Sequence, residues 1–286
     1  MVAPQNILPG VTRFSSDKPG AHVAILAGLH GNEPCGPAAI QRLDSELREG
    51  VVKLDRGTVD LVHGNLEATK QYRRFSLGGV DLNRIFDFGF QETLPEAEWS
   101  YEHRRATELR PLIDEWTEVL DLHSASRPTA PFAIWPYGAP KLPLLQRLGL
   151  DVVTHSWNGL GLPGSTALIN VVSRRGQDAL AIECGQHEDP EAAVRAYDYA
   201  RRFLTYYGST AEELPVISDT QILEMLTVIK KPHSEYRFPR EIVGFSPMSR
   251  GEDLGHGVVV PEDTVAIMPN DAVAPGGDML YLARRA

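Results

Sequence analysis

The chain has 286 residues, 42% hydrophobic and 23% charged, the balance of a soluble globular protein with room for one large domain and a small second one. Its formal net charge of −10 excludes a nucleic-acid or anionic-membrane surface as the main partner, although a local basic pocket remains compatible with it. No apolar stretch approaches a membrane span, and the first residues lack a basic and apolar leader, so the expected location is the cytoplasm.

Residues 1–20, with Pro4, Pro9 and Pro19, read as a lead-in with one edge strand. Ala24-Ile25-Leu26-Ala27 is the apolar run of a buried parallel strand, ended by a turn that carries His30 and Glu33. An imidazole and a carboxylate are ligand types that zinc accepts, and carboxyl ends of strands are where open α/β sheets build sites. Ala39, Ile40, Leu43 and Leu47 predict a helix over 36–48, and residues 58–62 predict a second strand. That is a βαβ start and therefore a parallel sheet. His63 ends the second strand and reads as a hydrogen-bonded loop histidine.

Residues 65–88 form a long loop in which Arg73, Arg74 and Arg84 stand among Phe75, Leu82, Ile85 and Phe86. Arginines flanked by apolar residues suggest a partly buried anion site. A helix is expected over 95–116, with His103 as a surface or packing residue. The strand over 118–124 places Asp121 and His123 on one face, because side chains repeat every second residue. A short apolar segment over 131–137, a helix over 141–148 and a glycine-rich loop over 157–164 follow. His155 receives no role. A further strand, 179–182, ends in Glu183, and a carboxylate behind four apolar residues must be paired or catalytic. His187 lies at the entry to a helix that starts with Asp189 and Pro190 and stops at Gly208. Residues 209–215 read as a linker, followed by β patterns at 222–229, 241–245, 258–260, 265–268 and 279–282.

Four motifs thus occur in order: His30-Gly31-Asn32-Glu33-Pro34, Asp81-Leu82-Asn83-Arg84, Asp121-Leu122-His123 and Ile182-Glu183-Cys184-Gly185. Together they resemble the zinc-dependent aspartoacylase/succinylglutamate desuccinylase family, a branch of the zinc carboxypeptidase-like superfamily, from about residue 21 to about residue 208. The resemblance implies an α/β fold: a mixed-sheet zinc-carboxypeptidase-like domain over 1–210, followed by a small C-terminal β domain over 211–286 that narrows the entrance. It implies one Zn²⁺ per chain on His30, Glu33 and His123, with the fourth position left to water. Asp81 would orient the first histidine, and Asn83 and Arg84 would hold the substrate carboxylate. Arg74, with Arg73 as its neighbouring alternative, would polarise the scissile carbonyl. Arg174 or Arg175 would read a side-chain carboxylate, and Glu183 would be the general base.

The two cysteines, Cys35 and Cys184, give no disulfide framework and read as buried thiols beside a ligand set that is already sufficient. Tyr236 or Tyr281 either reaches the substrate from the C-terminal part or is a surface aromatic. The expected function is removal of an acyl group from a small N-acyl amino acid. A carboxypeptidase acting on peptides is the first alternative, and it would need space on the acyl side of the scissile bond. A non-catalytic zinc or ligand-binding protein is the second, and Glu183 beside a complete ligand set argues against it. A homo-oligomer is left open.

Overall fold

The computed structural model describes residues 4–157 and 166–286; residues 158–164 of the glycine-rich segment lie outside them. Elements are numbered in chain order. The centre of the fold is β3 (His22–Ala27), which pairs in parallel with β4 (Thr58–His63) on one side and β5 (Glu118–Ala125) on the other. Successive side chains of β3 enter two different cores, as the pleat demands. Val23, Ile25 and Ala27 pack with Leu43 and Leu47 of α1 (Cys35–Glu49) and Phe203 of α7 (Ala192–Tyr206). Ala24 and Leu26 pack with Leu109 and Ile113 of α4 (Tyr101–Glu115) and Leu168 of α6 (Leu168–Ser173). Helices on both faces explain why the strand reads as a continuous apolar run. Truncating one such fully buried leucine, Leu43, to alanine would cost about 2–5 kcal/mol.

Among the described residues twelve strands form one mixed sheet, in the order β1-β2-β4-β3-β5-β8-β6-β7-β9-β12-β11-β10. β8 (Asp178–Gln186) extends the parallel block beside β5. The N-terminal lead-in supplies two strands rather than one: β1 (Gln5–Leu8) and β2 (Val11–Ser15) close the near edge in antiparallel fashion. Beyond β8 stand β6 (Phe132–Ile134) and β7 (Val152–His155). β9 (Gln221–Lys230) pairs in parallel with β7, so the C-terminal strands continue the same sheet while keeping apolar clusters of their own. They are completed by β12 (Asp278–Arg285), β11 (Thr264–Ile267) and the two-residue β10 (Pro247–Met248). The stretches 241–245 and 258–260, expected as strands, are loops; an isolated bridge pairs Asp253 with Val259 within one of them, and the Phe245 N–H donates to the Ala266 carbonyl of β11 at 2.7 Å.

α4 begins at Tyr101 rather than near 95. Ser100 is its N-cap, and the Ser100 N–H donates to His103 Nδ1 at 3.0 Å, which gives His103 a capping role. The expected loop 65–88 contains one short helix, α2 (Leu66–Lys70), and a 3₁₀ turn at Leu82–Arg84. Short helices α3 (Phe90–Thr93) and α5 (Leu142–Leu148) complete the set. No helix among the described residues is long and apolar enough to cross a membrane.

Candidate metal centre and active-site cavity

The site is assembled at the carboxyl ends of β3, β5 and β8. After Ala27 the chain turns through Gly28 at φ +64°, a left-handed conformation that glycine adopts without cost. A Cβ on Gly31 would meet the backbone of Ala68 at 2.1 Å, so only glycine lets this turn lie against α2. The turn delivers His30 and Glu33. His123 and Glu183 are register partners across the parallel β5–β8 pair, so the two side chains share one face of the sheet.

His30 Nδ1 lies 2.8 Å from Glu33 Oε1 and His123 Nδ1 lies 2.9 Å from Glu33 Oε2, all three residues being buried. The other ring nitrogens are also committed: His30 Nε2 is 3.1 Å from Asp81 Oδ1, and His123 Nε2 is 2.8 Å from Asp121 Oδ2. Burial opposes the charged form of His123, but Asp121 and Glu33 outweigh it and hold the imidazole well above its ordinary pKa. Burial likewise works against the Glu33 carboxylate, and the two histidines overcome it and hold its pKa well below the ordinary value. Ring nitrogens and carboxylate oxygens that converge with their outer partners already placed are mutually stable only around shared cations. Protons can serve, and so can a metal: one donor atom from each of His30, Glu33 and His123 lies within 4.8 Å of the others, and the group could hold an ion.

Asp81 links this cluster to the first arginine. Its Oδ2 accepts from Arg74 Nε at 3.0 Å and pairs with Arg74 Nη2 at 2.8 Å, while its Oδ1 faces His30. The Arg74 loop is held from below by Glu102, which is fully buried and accepts from the Ser76 N–H at 2.8 Å and from Asn65 Nδ2 at 3.1 Å. Nothing in the sequence marks Glu102, because a glutamate in a helix full of charges carries no local sign of burial. Asn83 is buried, with Oδ1 accepting from the Leu168 N–H at 3.0 Å. Arg84 Nη1 donates to the Asn83 carbonyl at 2.7 Å, and its guanidinium has no carboxylate partner among the described residues. Glu183 is 9% exposed, and its Oε2 has no hydrogen-bond partner among the described residues. Burial and the nearby Glu33 push its carboxyl up to about 7.

These groups line one cavity of about 310 Å³ that contains His30, Glu33, Arg74, Asn83, Arg84, His123 and Glu183. Arg174 and Arg175 are not in its wall: Arg174 Nε donates to Tyr137 Oη at 2.7 Å and Arg175 pairs with Asp114 at 2.6 Å. Arg73 is exposed and also absent from the wall. The wall instead receives Arg127, four residues after His123, which no sequence signal singled out. From the C-terminal part come Asn270, in the loop after β11, and Tyr281 of β12, whose hydroxyl donates to Asp278 Oδ2 at 2.8 Å. Tyr236 is buried elsewhere, donating to the Leu254 carbonyl at 2.6 Å. His63 contacts Thr69 Oγ1 at 3.0 Å, and His187 contacts Ser124 Oγ at 2.8 Å. Cys35 and Cys184 are free, buried thiols.

The family model for the succinylglutamate desuccinylase/aspartoacylase catalytic domain matches residues 19–202. A succinylglutamate desuccinylase of Pseudomonas aeruginosa (strain UCBPP-PA14) is 26% identical over 296 residues, covering 93% of this chain and 85% of the relative. The succinylglutamate desuccinylase structure from Chromobacterium violaceum superposes with a TM-score of 0.76 at 23% identity, covering 99% of this chain and 90% of that one. The product-bound ectoine utilization protein EutE (DoeB) from Ruegeria pomeroyi also reaches 0.76, at 17% identity, covering 96% and 88%. With most of its length matched by the family model and the four motifs gathered into one cavity, the chain belongs to the succinylglutamate desuccinylase/aspartoacylase family.

Proposed function

We propose that this protein is a zinc-dependent hydrolase that removes the acyl group from a small N-acyl amino acid. Two histidines and one carboxylate, with the far ring nitrogens held by aspartates, are the donor set of an open, three-ligand zinc site. When bound, zinc supplies Lewis acidity that activates water and polarises a carbonyl oxygen at neutral pH. Asp81 and Asp121 accept the Nε2–H of His30 and His123 and so keep each Nδ1 lone pair turned towards Glu33 and the site. Glu183 takes the proton of the attacking water and passes it to the leaving nitrogen, a task suited to a group that titrates near neutrality. Arg74, steadied by Asp81, donates to the oxygen that gains charge in the tetrahedral intermediate. Asn83 and Arg84 hold the α-carboxylate, for which a planar guanidinium fork is the matching partner.

The observation that carries this reading is the placement of Glu183. A carboxylate oxygen buried without a partner is costly in a structural role, and this one shares its cavity with the His-Glu-His cluster. The cavity volume is at the small end of the roughly 300–1,000 Å³ typical of ligand sites, which favours a small substrate over a peptide chain. The test is a panel of N-acyl amino acids, their α-amides and blocked peptides, assayed with zinc-replete protein. The free acids should be the best substrates. The amides should lose roughly one to two powers of ten in kcat/KM, the worth of a charged hydrogen-bonded pair. Peptides turning over faster than every N-acyl amino acid would establish the carboxypeptidase reading instead.

A further inference from the structure

We infer that the cavity carries an apolar subsite for the amino-acid side chain of the substrate, so that the preferred ligand is an N-acyl derivative of an amino acid with a leucine-sized apolar side chain. The inference rests on the deacylase reading above and deepens it.

Its first support is the balance of charge in the wall. The three arginines there are Arg74, Arg84 and Arg127. Arg74 is paired with Asp81 through contacts of 2.8 and 3.0 Å. Arg127 is paired with Asp271 at 3.7 Å and reaches Asn270 Oδ1 at 3.4 Å. Arg84 donates to the Asn83 carbonyl and has no ion pair among the described residues, which leaves one open fork for the α-carboxylate. Arg174 and Arg175, expected to read a side-chain carboxylate, stand outside the wall. Glu183 and Asp278 line the cavity as well, Asp278 already satisfied by Lys230 and the Tyr281 hydroxyl. A second anionic group on the ligand would be desolvated beside them without a cation of its own.

The second support is a continuous apolar surface next to the fork and the base. Ile134 of β6 and Ala181 of β8 are register partners, and Ala181 lies two residues before Glu183, on the same face of the strand. Ile169 of α6 packs in one cluster with Ala181 and Ile134. Ile134 also joins Trp157, Met268 and Tyr281 in a second cluster, so the two clusters are contiguous. All six residues line the cavity. Trp157 and Tyr281 meet edge to face with ring centroids 5.2 Å apart. Their polar atoms are committed, Trp157 Nε1 to Thr154 Oγ1 at 3.0 Å and the Tyr281 hydroxyl to Asp278 at 2.8 Å. A ligand therefore meets their carbon surfaces.

The position of this surface selects the half of the substrate that it serves. Ile169 follows Leu168, whose N–H donates to Asn83 Oδ1 at 3.0 Å, and Thr166 Oγ1 donates to the Arg84 carbonyl at 2.6 Å. One end of the apolar wall is thereby fastened to the turn that holds the α-carboxylate, while Ala181 stands beside the base that serves the scissile bond. Between the carboxylate and the scissile nitrogen of an N-acyl amino acid lies Cα, and the side chain departs from there.

Four compounds test the inference: N-acetylleucine, N-acetylglycine, N-acetylaspartate and N-isovalerylglycine, the last with the isobutyl group of leucine moved to the acyl half. The wild type, Trp157→Ala and Met268→Ala are compared by kcat/KM. Binding of the same compounds to Glu183→Gln and to Glu183→Gln/Met268→Ala is measured by calorimetry. In the wild type N-acetylleucine should exceed both N-acetylglycine and N-acetylaspartate by roughly 10- to 100-fold, the worth of burying a leucine side chain. The leucine-to-glycine ratio should fall on the order of 10-fold in both variants, in turnover and in binding. An equal loss on N-acetylleucine and N-acetylglycine, the mark of a merely structural role, overturns the inference. So does N-acetylaspartate matching N-acetylleucine, and N-isovalerylglycine exceeding N-acetylleucine overturns the assignment to the amino-acid half. Absence of turnover on all four compounds would sink the deacylase reading, while the binding ratios would still decide the subsite.

Discussion

His123 Nε2 lies 2.8 Å from Asp121 Oδ2, two residues earlier on the same strand. The period of the pleat puts both side chains on one face, so the strand that delivers the histidine also delivers the group that orients it. Asp121→Asn should leave the fold in place and weaken metal affinity about 10- to 100-fold. Competition with a chelator measures this directly. Wild-type affinity in Asp121→Asn would remove Asp121 from the account.

Gly31 is a second point at which a small change should be large. An added Cβ would meet the Ala68 carbonyl carbon at 2.1 Å and the Thr69 nitrogen at 2.2 Å, backbone atoms that cannot swing aside. The Gly31 N–H also faces the Arg74 carbonyl at 3.4 Å, so relief of the clash moves the segment that carries Arg74. Gly31→Ala should cost about 1–3 kcal/mol in stability and lower kcat/KM beyond what unfolding explains. Gly50→Ala is the control. It has open space and φ +72°, and should cost about 1 kcal/mol with activity retained. Melting curves and kinetics on both variants check the contrast.

How much of this could be read in advance differs by element. The strand over 22–27, its turn and the strands that deliver His123 and Glu183 were legible because burial on both faces leaves unbroken apolar runs with polar residues at their ends. β7 and α6 were not. Leu168–Ser173 carries two adjacent valines and no helical stripe, and its helix is imposed by packing against β8. The junction of β9 with β7 is a pairing across about seventy residues and leaves no local trace. The family resemblance implies a carboxylate-reading arginine at Arg174 or Arg175, just before the strand that ends in Glu183. In the fold Arg174 contacts Tyr137 and Arg175 pairs with Asp114, and among the described residues the cavity wall holds Arg127 rather than either of them, a placement set by the tertiary course of the chain.

Stability should also change with pH through Glu118. Burial, followed by the neighbouring Asp178, pushes the Glu118 carboxyl from 4.5 up to about 7. A raised carboxyl pKa means that folding disfavours the charged form. The folded state is therefore favoured below pH 4.5, and this advantage is lost as pH rises through about 7. Glu118→Gln should be more stable than wild type by on the order of 1–2 kcal/mol at pH 8, and the gain should vanish near pH 4. Denaturant unfolding at the two pH values tests the sign. A gain that grows on acidification would show that the carboxyl is not held protonated.

The central claim is that Glu183 carries the proton in a metal-assisted hydrolysis. Glu183→Gln keeps the size of the side chain and most of its hydrogen bonding but cannot accept a proton. The decisive measurement is kcat on the best N-acyl amino acid together with bound zinc per chain, for wild type and Glu183→Gln side by side. Both proteins should carry about one zinc, and kcat should fall roughly 10²- to 10⁴-fold in the variant. Wild-type turnover by zinc-replete Glu183→Gln would contradict that claim.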